Sequence, residues 1–231
     1  GQPAVYGANT RTSQKMNEEL LALLQLTDRL PHPIGALQPL PSPSTPVDSP
    51  AAQAIIAAAK ATPDGQKLQV FVLGCYTNIA SAILLEPGIK DKLSVHLMGF
   101  NYHDGKLHPT EFNTLGDLHA ATCLLESGVE LKVMVNTSMQ QFHWKKSDVL
   151  AHFKGKGGVP DYLVNRWGTF CPNDPQRILW DIAVFEAVLR PHLATLTEID
   201  QAGSRISAWT QIDVPGMQAD YWEATAAAAQ R

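Results

Sequence analysis

Residues 68–113 constrain the fold of this 231-residue chain most, because two short apolar runs there flank a helix-like run. The first apolar run, residues 70–73, stops at a glycine, and the second covers residues 93–98. Short, uninterrupted apolar runs are typical of strands that are buried on both faces of a parallel sheet. Between the runs, Thr77 or Asn78 can cap a helix. The segment therefore predicts a right-handed crossover of two parallel strands and one helix, with its first strand in the centre of the sheet.

The rest of the chain repeats this alternation of strands and helices. Residues 117–127 predict a helix that ends at a glycine, and residues 131–135 predict the next buried strand. Residues 205–212 predict an edge strand, and the Ala-rich residues 221–230 predict a closing helix. A chain of this length can bury a sizeable core. We expect a single α/β domain over residues 1–231, with a doubly wound, mostly parallel, Rossmann-like sheet.

Several polar residues follow the predicted strands. In doubly wound sheets, ligands bind beyond the carboxyl ends of the strands, and Thr77, Met98 and the polar loop 101–113 lie at such ends. In that loop Glu111 and Asn113 alternate around a phenylalanine, so an extended backbone would point both polar side chains the same way. Taken alone, such a pair is more often a loop cap and a solvated carboxylate than a binding site.

Several motifs recur together in the order and spacing of one enzyme family. Three of them are Leu73-Gly-Cys-Tyr-Thr-Asn-Ile-Ala80, Leu97-Met-Gly99 and Glu111-Phe-Asn113. Two more are Tyr6-Gly-Ala-Asn9, followed by a Leu-rich helix, and Leu179-Trp-Asp-Ile-Ala183 at the start of a late helix. Together they resemble the inosine/uridine-preferring nucleoside hydrolases over nearly the whole chain.

The resemblance implies hydrolysis of the N-glycosidic bond of ribonucleosides, or of a related N-riboside, by an activated water. That reaction passes through an oxocarbenium-like ribose, so the enzyme must grip the sugar hydroxyls and help the base to leave. By resemblance, Glu111 would hold the ribose 5′-hydroxyl and Asn113 the 2′ or 3′ hydroxyls. The resemblance adds substrate contacts from Asn9, Met98 and Asp181.

The resemblance also implies a calcium ion (Ca²⁺) that activates the water. Asp181 and the backbone carbonyl of Thr77 would be calcium ligands, and Ca²⁺ prefers such hard oxygen donors. Without the resemblance, Asp181 would be interpreted as a helix cap. Two ligands cannot hold the ion tightly, so further carboxylates would have to supply most of the charge.

The N-terminal part departs from the family pattern. Residues 4–6 predict the end of a strand that opens at residues 7–9 into a helix over about residues 13–26. Family members carry on that strand an Asp-x-Asp-x-x-x-Asp-Asp cluster, which binds calcium and supplies the catalytic base. No such cluster occurs in this chain, so the resemblance leaves the base unassigned.

Seven prolines between residues 31 and 50 exclude a helix or a central strand there, and the composition predicts a linker. Family members have a longer loop in this region. Two explanations stay open: the protein is shortened, or the N-terminal strand and an active-site loop near residues 38–48 belong to the protein but not to this chain.

Two substitutions bear on activity. The amide that stabilises the ribose cation in the family is replaced by Lys106 or displaced, because this chain has one residue fewer before Glu111, and a cation there would oppose an oxocarbenium ion. Trp180 takes the place of the histidine that protonates the leaving base in many members, although an indole can still stack on a purine. The alternative function is therefore a catalytically silent family member that binds ribosides or forms oligomers. His103 and His108 lie in the polar loop, where solvated histidines are the ordinary case.

Composition excludes other classes. A formal charge of −4 gives no electrostatic footprint for nucleic acid. Three widely spaced cysteines form neither a metal pair nor a full disulfide set, and no apolar segment is long enough to span a membrane. We expect a cytoplasmic homo-oligomer whose partner is a small nucleoside or ribose.

Overall fold

A five-stranded mixed sheet forms the centre of the computed structural model, which describes residues 2–201 and 206–228 and the side chains of residues 8–201 and 206–227. The strands are β1 Leu68–Val72, β2 Leu93–Gly99, β3 Asn101–His103, β4 Lys106–His108, β5 Glu130–Val135, β6 His143–Lys145, β7 Gln176–Ile178, β8 Ala194–Ile199 and β9 Ile206–Ile212. The helices are α1 Gln2–Leu23, α2 Pro50–Ala61, α3 Thr77–Leu85, α4 Phe112–Gly116, α5 Leu118–Glu126, α6 Asn136–Met139, α7 Lys146–Phe153, α8 Gly158–Phe170, α9 Trp180–Leu189 and α10 Val214–Ala228. Short 3₁₀ helices cover Pro87–Lys92 and Pro191–Leu193.

The strand order in the main sheet is β1-β2-β5-β9-β8. The first four strands are parallel, and β8 pairs antiparallel with β9. All seven residues of β2 are buried, because helices cover both faces of the sheet. One apolar cluster lies between the sheet and α2, α3 and α5, and a second lies between the sheet and α9 and α10. The predicted doubly wound, mostly parallel α/β fold is confirmed.

Two strands occupy other positions than predicted. β9 is internal, with its first four residues buried, so the predicted edge strand at residues 205–212 is wrong; residue 205 itself lies outside the described residues. The edge on that side is β8, which the sequence pattern did not reveal because most of its residues are partly exposed. The predicted central strand, β1, forms the opposite edge and is only half-buried. An apolar run shows that helices cover a strand, but it does not show how many strands flank it.

The N-terminal prediction is also wrong. Residues 4–6 are not a strand end and residues 7–9 are not a turn, because α1 runs without interruption from Gln2 to Leu23. One glycine inside a helix costs only about 1 kcal/mol, whereas three residues of strand need a neighbouring strand to pair with. α1 is hydrogen-bonded to α8, because the Tyr162 hydroxyl of α8 donates to the Glu19 carboxylate of α1 at 2.8 Å.

The Pro-rich segment packs on the domain instead of linking two domains. The backbone N–H of Leu40, a residue that is 2% exposed, donates to Asp117 Oδ2 at 2.9 Å. The N–H of Ala36 donates to Asn78 Oδ1 at 2.9 Å. No helix or strand forms between residues 31 and 49, as the prolines predict. The predicted closing helix begins earlier than expected, at Val214 in α10, and residues 229–230 lie outside the described range.

No helix in the described part of the chain is both long enough and apolar enough to cross a membrane.

Candidate active site

A pocket of about 420 Å³ opens at the carboxyl ends of β1, β2 and β5. Side chains from these strand ends meet α4 and the first residues of α9 there. Its lining consists of Leu73, Met98, Thr110, Glu111, Phe112, Asn113, Asn136, Trp180 and Asp181. The pocket therefore gathers five residues that the sequence singled out, Met98, Glu111, Asn113, Trp180 and Asp181, and adds Asn136, which it did not predict.

Glu111 caps α4 and also lines the pocket. Its Oε2 accepts hydrogen bonds from the backbone N–H groups of Asn113 at 2.8 Å and Thr114 at 3.2 Å. The predicted extended arrangement of residues 111–113 is wrong, because α4 begins at Phe112. The carboxylate is not solvated either, since Glu111 is only 8% exposed. Within the described residues all hydrogen bonds to this carboxylate use Oε2, which leaves Oε1 for a ligand.

The Asn113 side chain ties two strand ends together. Its Nδ2 donates to the carbonyl oxygens of Leu73, just beyond β1, at 3.4 Å and of Met98 in β2 at 3.3 Å. These two bonds fix the orientation of the amide. Its Oδ1 has no donor among the described residues, so this oxygen is left for a ligand.

Asp181 and Trp180 form the first turn of α9. The predicted cap is absent, because the N-cap of α9 is Leu179 and no side chain caps that helix end. The Asp181 carboxylate faces the pocket. Solvent reaches it, but the surrounding protein removes part of its hydration, and this raises its pKa from 3.8 to about 6. The negative charge of Glu111 adds to the rise. A carboxyl group of this kind exchanges protons near neutral pH.

Two predicted site residues lie away from the pocket. Asn9 lies in α1 and lines a separate groove. Thr77 is fully buried at the start of α3, and its hydroxyl donates to the carboxylate of Asp117. As the first residue of α3, Thr77 has its carbonyl directed along the helix. No finding tests the assigned roles of either residue, so both stay predictions.

The residues present do not by themselves fit a calcium ion. Among the described residues, no group of three or more His, Cys, Asp and Glu side chains converges to hold a metal. The pocket offers the carboxylates of Glu111 and Asp181, and the first is already used as a helix cap. Calcium takes six to eight oxygen ligands, so this donor set is too small even with the amide oxygens of Asn113 and Asn136.

A large groove of about 1430 Å³ runs along the free edge of β1. α1 and α2 form its other wall, with Ile55 and the small side chains of α2 facing the strand. The groove and the pocket share Leu73, Phe112 and Asn113. Phe112 is 83% exposed, which is unusual for an aromatic side chain between two cavities. The groove and the pocket therefore adjoin each other at the carboxyl end of β1.

Three residues of the polar loop that the sequence singled out, Lys106, His103 and His108, lie outside the pocket lining. Lys106 is exposed in the hairpin of β3 and β4. Its charge therefore lies outside the pocket, contrary to the expectation from the sequence. His103 and His108 stack on each other in the same hairpin, with ring centroids 3.5 Å apart.

Asn136 supplies an amide that sequence reasoning missed. Its one available signal was its position directly after the buried run of β5.

A family model for inosine-uridine preferring nucleoside hydrolase matches residues 6–215. The chain belongs to this family. The comparison with curated proteins finds no match. The resemblance in the sequence motifs is thereby confirmed, and nucleoside hydrolysis is the activity of the family in general.

Solved structures share the fold at low sequence identity. A plant nucleoside hydrolase, the PpNRh1 enzyme, superposes with a TM-score of 0.71 at 16% identity, covering 91% of this chain and 84% of that one. An inosine-uridine preferring nucleoside hydrolase from Bacillus anthracis gives 0.59 at 18% identity, covering 77% and 65%. The type III effector protein XopQ, complexed with adenosine diphosphate ribose, gives 0.62 at 16% identity, covering 79% and 66%. The chain thus spans 65% of the length of the Bacillus anthracis protein.

Proposed function

We propose that this chain carries the ribose-binding side of an enzyme that hydrolyses the N-glycosidic bond of ribonucleosides or related N-ribosides. The observation that carries the proposal is the pocket itself. It brings two carboxylates and an amide, from Glu111, Asp181 and Asn113, next to the half-buried ring of Trp180. Three hydrogen-bonding groups beside one aromatic face match a sugar that bears a base.

The chemistry follows from which atoms are available. Glu111 Oε1 and Asn113 Oδ1 accept hydrogen bonds from sugar hydroxyls, because their neighbouring atoms are already bound to backbone groups. The Trp180 ring stacks on the base and excludes water from that side. Asp181, with its pKa near 6, holds a hydroxyl as a carboxylate above that pH and stabilises positive charge on the sugar ring. We assign no catalytic base among the described residues.

The family is generally metal-dependent, and we propose that carboxylates outside this chain's pocket complete a calcium site. The groove along β1 offers a place for these carboxylates. β1 is an edge strand whose outer backbone groups are unpaired within the described sheet, and its groove leads to the pocket. A further strand pairing in parallel with β1 would end beside Asn113 and deliver its carboxyl-terminal side chains there. The aspartates of the family's Asp-x-Asp-x-x-x-Asp-Asp cluster would occupy that position if the protein has such a strand. Calcium would then supply charge stabilisation and an activated water.

The test follows release of free base from inosine and uridine, with and without calcium and a chelator. We expect hydrolysis that chelation abolishes, provided that the protein includes the aspartate-bearing strand, and a fall in melting temperature on chelation. Asp181→Asn should then lower hydrolysis more than tenfold, whereas Asp148→Asn, an exposed aspartate on α7, should leave it unchanged. Base release that ignores both the chelator and Asp181→Asn would refute the proposal.

One observation favours the second candidate, a silent riboside-binding protein. The described residues bring no third Asp, Glu, His or Cys side chain to the pocket. That candidate predicts inosine binding by calorimetry with no base release, even when the aspartate-bearing strand is present. A homo-oligomeric state and a cytoplasmic location stay predictions.

A further inference from the structure

We infer that Asn136 binds the ligand in this pocket and that Asn101 positions it. The inference rests on the proposed function, because it takes the ligand to be a riboside. Asn136 begins α6 directly after β5, whereas Glu111 and Asn113 belong to the start of α4, and all three residues line the pocket. A ligand in the pocket can therefore contact side chains from both elements. No sequence motif assigns a role to either asparagine.

The Asn136 side chain is held in one orientation. Its Nδ2 donates to Asn101 Oδ1 at 2.7 Å, and its backbone N–H donates to the carbonyl of Phe100 at 2.9 Å. In turn Asn101 Nδ2 donates to the hydroxyl oxygen of Thr110 at 2.8 Å. Thr110 lines the same pocket as Asn136. A chain of hydrogen bonds thus follows one wall of the pocket from β5 to the loop before α4.

A strained residue directs this chain of hydrogen bonds. Phe100, between β2 and β3, has a φ of 53°, which is rare for a bulky side chain. Its ring is fully buried, its N–H donates to Thr114 Oγ1 at 3.0 Å, and its carbonyl accepts from Asn136. The left-handed turn at Phe100 sends Asn101 toward Asn136. Such strain persists where the surrounding contacts fix it, and it concentrates at functional sites.

The arrangement leaves specific atoms for a ligand. Asn136 Oδ1 receives no hydrogen bond from the described residues, because the amide is bound through Nδ2. The Thr110 hydroxyl accepts from Asn101 and keeps its own hydrogen for donation. Asn136 therefore offers an acceptor to a sugar hydroxyl. With Glu111 Oε1 and Asn113 Oδ1, the pocket presents three acceptors from two elements, which suits a ligand with several hydroxyl donors.

The experiment measures binding by calorimetry for inosine and its 2′-, 3′- and 5′-deoxy analogues. Asn136→Ala should weaken inosine binding about tenfold, the loss expected for one neutral hydrogen bond. It should leave unchanged the affinity for the one analogue that lacks the hydroxyl bound by Asn136. Asn101→Ala, which removes the bonds to Asn136 and Thr110 but keeps the Asn136 side chain, should show a smaller loss with the same analogue pattern. Gln140→Ala, an exposed amide just after α6, is the matched control and should bind as the parent does.

The outcomes separate the two claims. Equal inosine affinity in the parent and in Asn136→Ala overturns the inference but leaves the proposed function standing. A loss of the same size for inosine and all three analogues also overturns it, because that pattern marks a general structural effect. A parent protein that binds none of the four nucleosides refutes the proposed function and the inference with it. Melting curves identify any variant that fails to fold, and Asn101→Ala then decides the question through its analogue pattern.

Discussion

Gly99, the last residue of β2, offers the sharpest test of how the strand ends are packed around the pocket. A Cβ at this position would lie 1.7 Å from the hydroxyl oxygen of Tyr76 and 3.0 Å from Cζ of the same ring. Tyr76 is fully buried, and its hydroxyl bonds with Thr114 Oγ1 at 2.8 Å and donates to the Met98 carbonyl at 3.4 Å. Gly99→Ala therefore forces the tyrosine ring to move.

The cost can be built from two contributions. Overpacking a well-filled core costs about 1–3 kcal/mol. Moving the buried Tyr76 hydroxyl from its partners adds about 1–3 kcal/mol for polar atoms left without a bond. The sum, about 2–6 kcal/mol, is a large part of the 5–15 kcal/mol that stabilises a typical domain. For a domain of this size, each kcal/mol shifts the melting temperature by about 2–4 °C, so we expect a fall of roughly 10 °C.

Thermal unfolding followed by circular dichroism measures this fall. The matched control is Gly74→Ala, because Gly74 also follows a strand, has no heavy atom within 4 Å of its would-be Cβ, and has no positive φ. The control should melt close to the parent. Adding Tyr76→Phe to Gly99→Ala removes the nearest atom and should restore part of the loss, since Cζ stays close. Equal melting temperatures for Gly99→Ala and Gly74→Ala would refute the packing argument.

Two further predictions concern buried carboxylates. Asp117 is 2% exposed and accepts hydrogen bonds from three elements, so Asp117→Ala should lower the free energy of unfolding by about 3 kcal/mol in urea titrations, whereas Asp64→Ala, with a fully exposed side chain, should not change it. Burial, and then the charge of Asp220, raise the pKa of Glu186 from 4.5 to about 7. Between pH 4.5 and about pH 7, the folded state therefore binds a proton on Glu186 that the unfolded state does not bind. The free energy of unfolding falls as the pH rises through that window. Glu186→Gln should be more stable than the parent by about 3 kcal/mol above pH 7 and equal to it below pH 4.5, with the exposed Glu126→Gln as a flat control. A parent whose stability does not change from pH 4.5 to 7 would contradict this.

Local signals in the sequence were enough to predict most of the sheet. β2 and β5 are short apolar runs that were correctly predicted as buried strands, and α5 ends near the glycine that was predicted to end it. These signals depend on residues close together in sequence. Strand order does not, because it is decided by contacts between distant segments. The edge position of β1 and the internal position of β9 were therefore beyond local patterns.

The site residues were predicted from sequence motifs, so a site residue outside any motif was missed. Glu111, Asn113 and Asp181 were found because their neighbours form a recognisable pattern. Asn136 has no such pattern, and it reaches the pocket only because β5 lies next to β2 in the sheet. The α4 helix was missed because it is five residues long and its cap, Glu111, had been given another role. Short helices carry too few periodic residues to be detected.

The structural and functional interpretations of the pocket residues do not exclude each other. In Glu111, Oε2 caps α4 while Oε1 is left for a ligand. In Asn113 and Asn136, Nδ2 binds a strand end or a neighbouring side chain while Oδ1 is left. One atom of each side chain is bound to the scaffold, which fixes the direction of the other before a ligand arrives and lowers the entropic cost of binding. Alanine variants at these positions remove both atoms, so their effects on affinity need the melting temperature and the deoxy analogues beside them before they can be assigned to the ligand.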